Sequence, residues 1–206
     1  MASEVARAKL ARAARALNAG SGLPALIFMT DQRRVPDPAS VARWLPKGTA
    51  IILRHIDDKA RASLAETLHP IARERALLLL IAGDAALAAR IGADGLHLPE
   101  ARLREAAHWK ALRPAWLVTA AAHSARALAA AKRAGADAAL LAPAFPTLSH
   151  WERPSLGVSR FRLMARQMQL PIYALGGVNA QTVQRLAAAR LAGIAAIEGL
   201  IPDQSA

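Results

Sequence analysis

The sequence predicts an α/β protein that folds as a single (β/α)₈ TIM barrel with an extra N-terminal helix. Short apolar runs alternate with helical stretches, and eight such runs follow one another along the chain. Most of the runs are apolar throughout, as is typical of parallel strands that are covered on both faces. The length of 206 residues fits one barrel domain.

The eight predicted strands are apolar runs too brief for helices, and most of them are nearly apolar throughout. They are Ala25–Asp31, Ala50–His55, Ala76–Ala82, Gly95–Leu98, Trp116–Ala122, Ala138–Pro143, Ile172–Gly177 and Gly193–Glu198. The alternative is a doubly wound open sheet, which usually has a G-x-G-x-x-G turn after its first strand. No glycine follows Asp31 in the segment up to Arg34, so the closed barrel is favoured.

Helix boundaries are indicated by polar residues that cap helix N-termini and by glycines that end helices. The predicted N-caps are Asp57 or Asp58, Asp84, Ser124 and Asn179, which would begin helices reaching Arg73, Ile91, Ala134 and Ala189. Residues 1–22 are expected to form a helical extension and residues 23–206 the barrel. The basic, alanine-rich first twenty residues lack the continuous apolar core of a secretory signal.

The composition restricts the classes of partner. The net charge is +12, but the 27 Lys and Arg residues are spread along helical segments and aromatic residues are only 4%. This pattern indicates a solvated basic surface or attraction of a phosphorylated substrate rather than nucleic acid. No apolar run is long enough to cross a membrane. The absence of cysteine fits a reducing, cytoplasmic location, and the alanine-rich helices are compatible with a homodimer.

Candidate functional residues lie where the strands end, because the site of a TIM barrel is built from the C-terminal strand ends and the following loops. Gly176 and Gly177 end the seventh strand before a predicted helix, and Gly199 follows the eighth. Glycines allow close backbone approach, and helix N-termini present N–H groups to anions. These three glycines therefore predict a phosphate site, with a tight structural turn as the alternative.

Other polar residues at the same end of the barrel suggest substrate contacts and proton transfer. His123 ends the fifth strand and Arg54 the second, while Glu198 ends the eighth. Imidazole exchanges protons near neutral pH, and guanidinium pairs well with phosphate or carboxylate. The loop after the sixth strand adds Thr147, Ser149 and His150. His97 is expected inside the barrel, and no spacing of ligand residues resembles a zinc site.

Several motifs together resemble the thiamine phosphate synthase/TenI family. They are Thr30-Asp31, G-A-D-G-L-H-L over Gly92–Leu98, A-A-A-H-S over Ala120–Ser124, the run Gly135–Thr147, Leu156-Gly157, and P-I-Y-A-L-G-G-V-N over Pro171–Asn179. They follow the order of that family from the first strand to the loop after the seventh. The G-A-D-G-x-H-L and G-A-D…P-x-F-P-T runs are specific in combination.

The resemblance implies a (β/α)₈ fold that works on thiazole phosphate in vitamin B1 synthesis. Gly176, Gly177 and the turn at Gly199 would hold the thiazole phosphate, and His123 resembles the histidine that transfers protons in the tautomerase members. Synthase members instead join the thiazole to a pyrimidine diphosphate with Mg²⁺. Thr147, Ser149 and His150 fall in the loop that binds substrate beside the diphosphate in synthases.

The sequence departs from the synthase pattern at the positions that grip diphosphate and metal. Of the synthase motif Q-L-R-x-K, this sequence keeps only Leu53-Arg54. Ala82-Gly83 stands where synthases have Asn-Asp after the third strand, and Asp84 comes one residue after the position of the synthase aspartate. Arg102 stands where the G-Q-E-D segment of synthases carries a metal carboxylate, and a cation there would repel Mg²⁺. Asp84 or Glu100 could substitute only with a shifted geometry.

Three hypotheses follow from this comparison. The favoured one is a TenI-like thiazole tautomerase that requires no cofactor, with His123 moving the proton and Glu198 as a second acid/base. A divergent thiamine phosphate synthase would require Mg²⁺ and would use Arg54, Thr147, Ser149 and His150 on the diphosphate. A non-catalytic phosphate-ligand binding or regulatory protein would bind without turnover.

Overall fold

The computed structural model of the chain describes residues 2–18, 20–54, 59–147, 154–187 and 189–201. Eight parallel strands form a closed barrel in chain order, with β8 paired to β1. They are β1 Leu26–Met29, β2 Ala50–Leu53, β3 Leu78–Ala82, β4 Gly95–Leu98, β5 Leu117–Ala122, β6 Ala138–Leu141, β7 Ile172–Ala174 and β8 Gly193–Ala196. The (β/α)₈ prediction is confirmed, and each observed strand lies within its predicted range.

Residues of each strand alternate between two apolar layers. In β1, Ile27 and Met29 belong to a cluster inside the barrel, whereas Leu26 and Phe28 join the layer between strands and helices. Since both faces of the strands are covered, the strands carry apolar residues without polar alternation. Because both faces are buried, each strand is a mostly apolar run in the sequence, and the positions of the strands could be predicted from these runs.

The repeated Gly-Ala-Asp segment has a definite structural role. The Asp94 carboxylate accepts the N–H of Leu79 at 2.8 Å, and the Asp137 carboxylate accepts the N–H of Val118 at 2.7 Å. Each aspartate therefore ties the start of its own strand to the preceding strand. A Cβ at Gly95 would lie 2.1 Å from the carbonyl oxygen of Leu117, so only glycine fits at the start of β4.

The α-helices are α1 Ala2–Leu17, α2 Pro38–Trp44, α3 Lys59–Glu74, α4 Ala85–Ile91, α5 Ala106–Leu112, α6 Ala125–Arg133 and α7 Gly157–Gln167. Helix α1 precedes β1, and one α-helix follows each of the strands β1 to β6. Asp84 and Ser124 cap α4 and α6 through their side chains, as predicted, and Gly92 ends α4 in the left-handed conformation. The predicted caps Asp57 and Asp58 lie outside the described residues.

The segment after β7 differs from its prediction. The sequence predicts an α-helix over Ala180–Ala189, but the structure has only a 3₁₀ helix over Val183–Leu186. Asn179 does act as a local cap, because its side-chain oxygen accepts the N–H groups of Gln181 and Thr182 at 2.9 Å. These short-range bonds satisfy the backbone within a turn and compete with a regular helix.

The N-terminal helix covers the outside of the barrel beside β8. In the described residues after β8, which end at Ile201, the chain forms a 3₁₀ helix over Glu198–Leu200. α1 contacts β1, β8 and this 3₁₀ helix, with Leu10 and Ala14 fully buried. The outer layer beside β8 is thus supplied from the start of the chain. Within the described ranges, no helix is both long enough and apolar enough to pass through a bilayer.

Candidate functional site

A cavity of about 340 Å³ opens at the C-terminal end of the barrel, between the ends of β1, β2, β6, β7 and β8. Its wall includes six of the residues predicted from the sequence, namely Arg54, Thr147, Gly176, Gly177, Glu198 and Gly199. The rest of the wall is largely apolar. The structure therefore brings the predicted phosphate residues and part of the predicted substrate residues to one pocket.

The turn after β7 lines this cavity with Gly176, Gly177 and Val178. Gly176 and Gly177 have positive φ angles of 89° and 64°, which glycine adopts readily. The carbonyl of Gly176 accepts the N–H of Phe145, and the carbonyl of Gly177 accepts the Thr182 hydroxyl. In the described part of the chain, the N–H groups of Gly176, Gly177 and Val178 have no acceptor. Three such donors in succession are a backbone arrangement that can bind an anion.

The same turn is tightly packed against the loop that follows β6. A Cβ at Gly177 would lie 2.4 Å from the carbonyl oxygen of Pro146 and 2.8 Å from Cβ of Phe145. A Cβ at Gly176 would lie 2.9 Å from Cα of Pro143. The glycines are therefore required by packing as well as by φ, so a tight structural turn and a phosphate-binding turn are compatible at these positions.

Gly199 and Glu198 form the neighbouring part of the wall in the 3₁₀ helix after β8. A Cβ at Gly199 would lie 3.2 Å from the carbonyl oxygen of Val178, so the two turns are in close contact. Glu198 is exposed at the rim. Its carboxylate would oppose a nearby phosphate when ionised, but it can exchange protons with a ligand at the edge of the pocket.

On the β1–β2 side of the cavity, Asp31 holds two arginines. Its Oδ2 accepts from Arg34 at 2.8 Å and from Arg54, while its Oδ1 accepts the N–H groups of Arg33 and Arg34 at 3.1 Å. The side-chain hydrogen bond from Arg34 lowers the pKa of Asp31 to about 2, with a smaller contribution from Arg54. Asp31 is thus ionised at neutral pH and fixes both guanidinium groups.

His97 lies inside the barrel, as predicted, and is 5% exposed. Its Nδ1 is 2.9 Å from the hydroxyl of Thr119 on the adjacent strand. Burial, with a smaller contribution from the positive charge of Arg54, lowers the pKa of His97 from 6.5 to about 4. His97 is therefore a neutral hydrogen-bonding group at physiological pH.

The buried imidazole leads to a prediction for stability. Between pH 6.5 and about 4, the unfolded chain takes up a proton that folded His97 does not bind. The free energy of unfolding should therefore fall as the pH decreases through this range, and His97→Gln should flatten that slope. Denaturant unfolding at several pH values measures it. His108→Gln, at an exposed histidine, is the control, and an equal slope in wild type and His97→Gln would contradict the assignment.

His123 follows β5 and is held by a carboxylate from the neighbouring strand end. Both its backbone N–H and its Nδ1 lie close to Oε2 of Glu100, at 2.8 and 2.7 Å. Because an ionised carboxylate only accepts, Nδ1 carries the proton and Nε2 is the nitrogen for exchange with a substrate. His123 is not among the residues that line the cavity, and β6 lies between β5, which His123 follows, and β7, which the glycine turn follows.

The loop after β6 is only partly described. Thr147 lines the cavity beside the glycine turn. Ser149 and His150, the other two predicted substrate residues of this loop, lie outside the described residues. Their predicted role therefore stays a prediction.

The residues at the ends of β3 and β4 do not fit a Mg²⁺ site. Asp84 accepts the N–H of Leu87 through Oδ1, and Glu100 accepts twice from His123. Arg102 donates to the carbonyl of Gly83 at 2.6 Å and to both carboxylate oxygens of Glu105. A guanidinium therefore lies where a metal would need oxygen ligands. No group of three or more acidic or His side chains suited to a metal occurs within the described residues.

Sequence reasoning did not select two residues that the structure places in the site. Arg34 lies three residues after Asp31, in a loop at the correct end of the barrel, and this spacing could have indicated an ion pair. Glu100 was considered only as a substitute metal ligand. Its contact with His123 depends on the pairing of β4 with β5, which the local sequence does not reveal.

Comparison with known proteins is consistent with this architecture. The family profile of thiamine monophosphate synthase matches residues 26–200. A thiamine-phosphate synthase of Chlorobium luteolum is 32% identical over 187 residues, covering 88% of this chain and 87% of that protein. One of Pyrococcus furiosus is 26% identical over 180 residues, covering 85% and 86%.

Among solved structures, a thiamine phosphate pyrophosphorylase from Pyrococcus furiosus superimposes with a TM-score of 0.69 at 23% identity. The match covers 84% of this chain and 87% of that one, and it supports the barrel fold. The family predicted from the motifs is thus confirmed. The chain belongs to the thiamine monophosphate synthase family of thiamine biosynthesis enzymes, which the sequence motifs had associated with the TenI proteins.

Proposed function

We propose that the protein is a thiazole tautomerase of the TenI type, which binds a phosphorylated thiazole in the cavity and moves a proton with His123. The observation that carries this proposal is the turn over Gly176–Val178, which lines the cavity and whose three N–H groups have no acceptor within the described residues. A phosphate is an anion of suitable size and charge for such a turn.

Binding would begin with the phosphate on the N–H groups of the turn and beside Gly199. The ring would then lie over the apolar part of the wall, formed by residues such as Met29, Ala195 and Ile197. This arrangement fixes one end of the ligand and directs its other end across the barrel mouth. Positioning of this kind converts a random encounter with an acid/base group into an oriented one.

Proton transfer would be the task of His123. Glu100 fixes the imidazole with the proton on Nδ1 and stabilises the imidazolium that forms when Nε2 takes up a proton. A tautomerisation removes one proton from the ligand and returns one at another atom. A single side chain can therefore balance the reaction, because it first accepts a proton as a base and then donates one as an acid. Glu198 at the rim is the second group able to exchange a proton with the ligand.

A thiamine phosphate synthase is the second candidate, and the names of the relatives favour it. Arg54 and Thr147 line the cavity and could contact a diphosphate. The residues at the end of β3 and in the segment after β4 argue against a synthase. Arg102 occupies the place of an oxygen ligand of Mg²⁺, and Asp84 and Glu100 are already hydrogen-bonded. No Mg²⁺-dependent step is therefore assigned.

A direct comparison of the two reactions tests the proposal. The purified protein is given carboxylated thiazole phosphate alone, and separately thiazole phosphate with pyrimidine diphosphate, each with Mg²⁺ and with EDTA. Aromatisation of the first substrate in EDTA is the expected result. Magnesium-dependent formation of thiamine phosphate without aromatisation would replace the proposal by the synthase, and binding without either turnover would indicate a binding protein.

A further inference from the structure

The segment that follows β4 carries the carboxylate that holds His123. It forms a 3₁₀ helix over Glu100–Glu105, and Oε2 of Glu100 accepts both the backbone N–H and the Nδ1–H of His123. The side chain of Glu100 is 39% exposed. An exposed carboxylate has several rotamers available, so it keeps an imidazole in one orientation only if its own backbone is fixed.

The backbone of this segment is irregular. The 3₁₀ helix is interrupted at Arg102, where φ is −114° and ψ is 16°. The N–H of Arg102 donates to the carbonyl of Pro99 at 2.8 Å, which closes one turn around Glu100. Short 3₁₀ segments have poorer hydrogen-bond geometry than an α-helix. The position of Glu100 therefore depends on the contacts that side chains of the segment make with the rest of the barrel.

Arg102 makes the contact that ties the segment to the end of β3. Its Nη1 donates to the carbonyl of Gly83 at 2.6 Å, while Nε and Nη2 donate to the two carboxylate oxygens of Glu105 at 2.5 and 2.7 Å. Oε2 of Glu105 also accepts the indole N–H of Trp109 at 3.1 Å. Three nitrogens of one planar group donate at once, and this geometry fixes the guanidinium.

The charges of the segment are divided between two pairs. Arg102 is paired with Glu105, and Glu100 is paired with His123. The hydrogen bond from Arg102 lowers the pKa of Glu105, which is therefore ionised at neutral pH and holds the guanidinium. Arg102 thus does not compete with the imidazole for the carboxylate of Glu100. It acts on Glu100 through the backbone that the two residues share and not as its counter-ion.

We propose that Arg102 is a positioning residue for the acid/base pair of His123 and Glu100. Its bond to Gly83 anchors the segment after β4 against the end of β3, so that Glu100 in the same turn reaches the end of β5. This inference rests on the proposed function, in which His123 moves the proton. Synthase members carry a metal carboxylate at the position of Arg102, so the arginine replaces a metal ligand by a support for proton transfer.

The tautomer of His123 gives a direct readout of this role. In full-length protein with nitrogen-15 in its histidines, the NMR shifts of the two ring nitrogens distinguish Nδ1–H from Nε2–H. The signals of His123 are those absent from His123→Ala. At a pH where the ring is neutral, we expect Nδ1–H in the wild type. In Arg102→Gln we expect loss of this preference and the appearance of Nε2–H, because Glu100 no longer holds the ring.

Kinetics of the same variant gives a second readout. In Arg102→Gln, kcat for aromatisation of carboxylated thiazole phosphate should fall by about tenfold or more, because displacement of a catalytic group by about 1 Å can cost about 10²-fold. KM and the calorimetric affinity for thiazole phosphate should stay within about twofold, since the glycine turn is unchanged. Exposed ion pairs add little to the stability of a fold, so the barrel should remain folded.

Two variants show that the effect depends on the geometry of the guanidinium. Arg104→Gln changes an exposed arginine of the same 3₁₀ helix, and it should keep the wild-type tautomer and kcat. Arg102→Lys keeps the charge and can donate to Gly83 or to Glu105. It does not reproduce the planar contact with both, so it should recover only part of kcat.

Glu105→Gln tests the same contact from its other side. The amide loses the negative charge that holds Arg102, and the guanidinium then becomes available to pair with Glu100 in place of His123. The Nε2–H tautomer should therefore appear in Glu105→Gln as well. This variant keeps Arg102 in place, so it tests the role independently of how well Arg102→Gln folds.

The proposed function and the positioning role fail in different ways. If the wild type does not aromatise the thiazole, the proposed function is wrong, and the tautomer of His123 still decides the role of Arg102. The wild-type tautomer in both Arg102→Gln and Glu105→Gln would overturn that role. Equal losses of kcat and of thiazole phosphate affinity in Arg102→Gln would also overturn it, because they indicate a general disturbance of the barrel.

Discussion

Replacement of His123 by alanine is expected to lower kcat for thiazole aromatisation by about 10²–10⁴-fold, the contribution that a positioned acid/base group usually makes. The affinity for thiazole phosphate should change by less than about twofold, because His123 lies outside the described cavity wall. Single-turnover kinetics and calorimetric titration together separate these two quantities.

Two variants serve as comparisons for this experiment. His69→Ala changes a histidine that neighbours Gly92, at the opposite end of the barrel from the cavity, and should keep the wild-type rate. Glu100→Gln retains an acceptor oxygen but loses the negative charge that stabilises the imidazolium. It should lower kcat and change the pH dependence of kcat. A wild-type rate in His123→Ala would show that another group moves the proton.

Replacement of Gly177 by alanine is expected to abolish phosphate binding and to destabilise the fold. The positive φ costs about 1–2 kcal/mol for a residue with a Cβ. The added carbon would also lie 2.4 Å from the carbonyl of Pro146, so the turn or the loop after β6 must shift, at a further cost of about 1–3 kcal/mol. Such a shift moves the N–H groups that hold the phosphate.

Gly135→Ala provides the matched control for the Gly177 variant. Gly135 has a φ of 76°, similar to the 64° of Gly177, but nothing lies within 4 Å of its added Cβ. It should therefore show only the φ cost, with thiazole phosphate affinity unchanged. Denaturant unfolding and calorimetry give both quantities for each variant. Equal losses of stability in the two variants, or wild-type phosphate affinity in Gly177→Ala, would contradict the proposed role of the turn.

The glycine turn is a part of the candidate site that could be predicted from the sequence. Gly176, Gly177 and Gly199 could be located because glycine at a strand end indicates either a close approach or a positive φ. The predicted helix after the turn did not form, because Asn179 and Thr182 satisfy the backbone through local hydrogen bonds. The proposed phosphate site is consequently a turn, whose N–H groups have no acceptor within the described residues, rather than a helix terminus.

The sequence by itself determined the barrel, the ends of its strands and the family. Parallel strands buried on both faces are apolar throughout, and the Gly-Ala-Asp segments begin β4 and β6 for steric and hydrogen-bonding reasons that are local to neighbouring strands. These features leave a periodic pattern in the chain. His97 could likewise be placed inside the barrel, since it alternates with apolar residues that face the outer layer.

Only the tertiary structure decided which side chains act together. Glu100 reaches His123, and Asp31 reaches Arg54, each across a residue separation of 23. Arg102 likewise donates to the carbonyl of Gly83, 19 residues away. These contacts depend on the pairing of neighbouring parallel strands, which brings the C-terminal ends of the strands together. The types of these residues can be read from the sequence, whereas the distances between their side chains and the pairing of their charges arise only from packing.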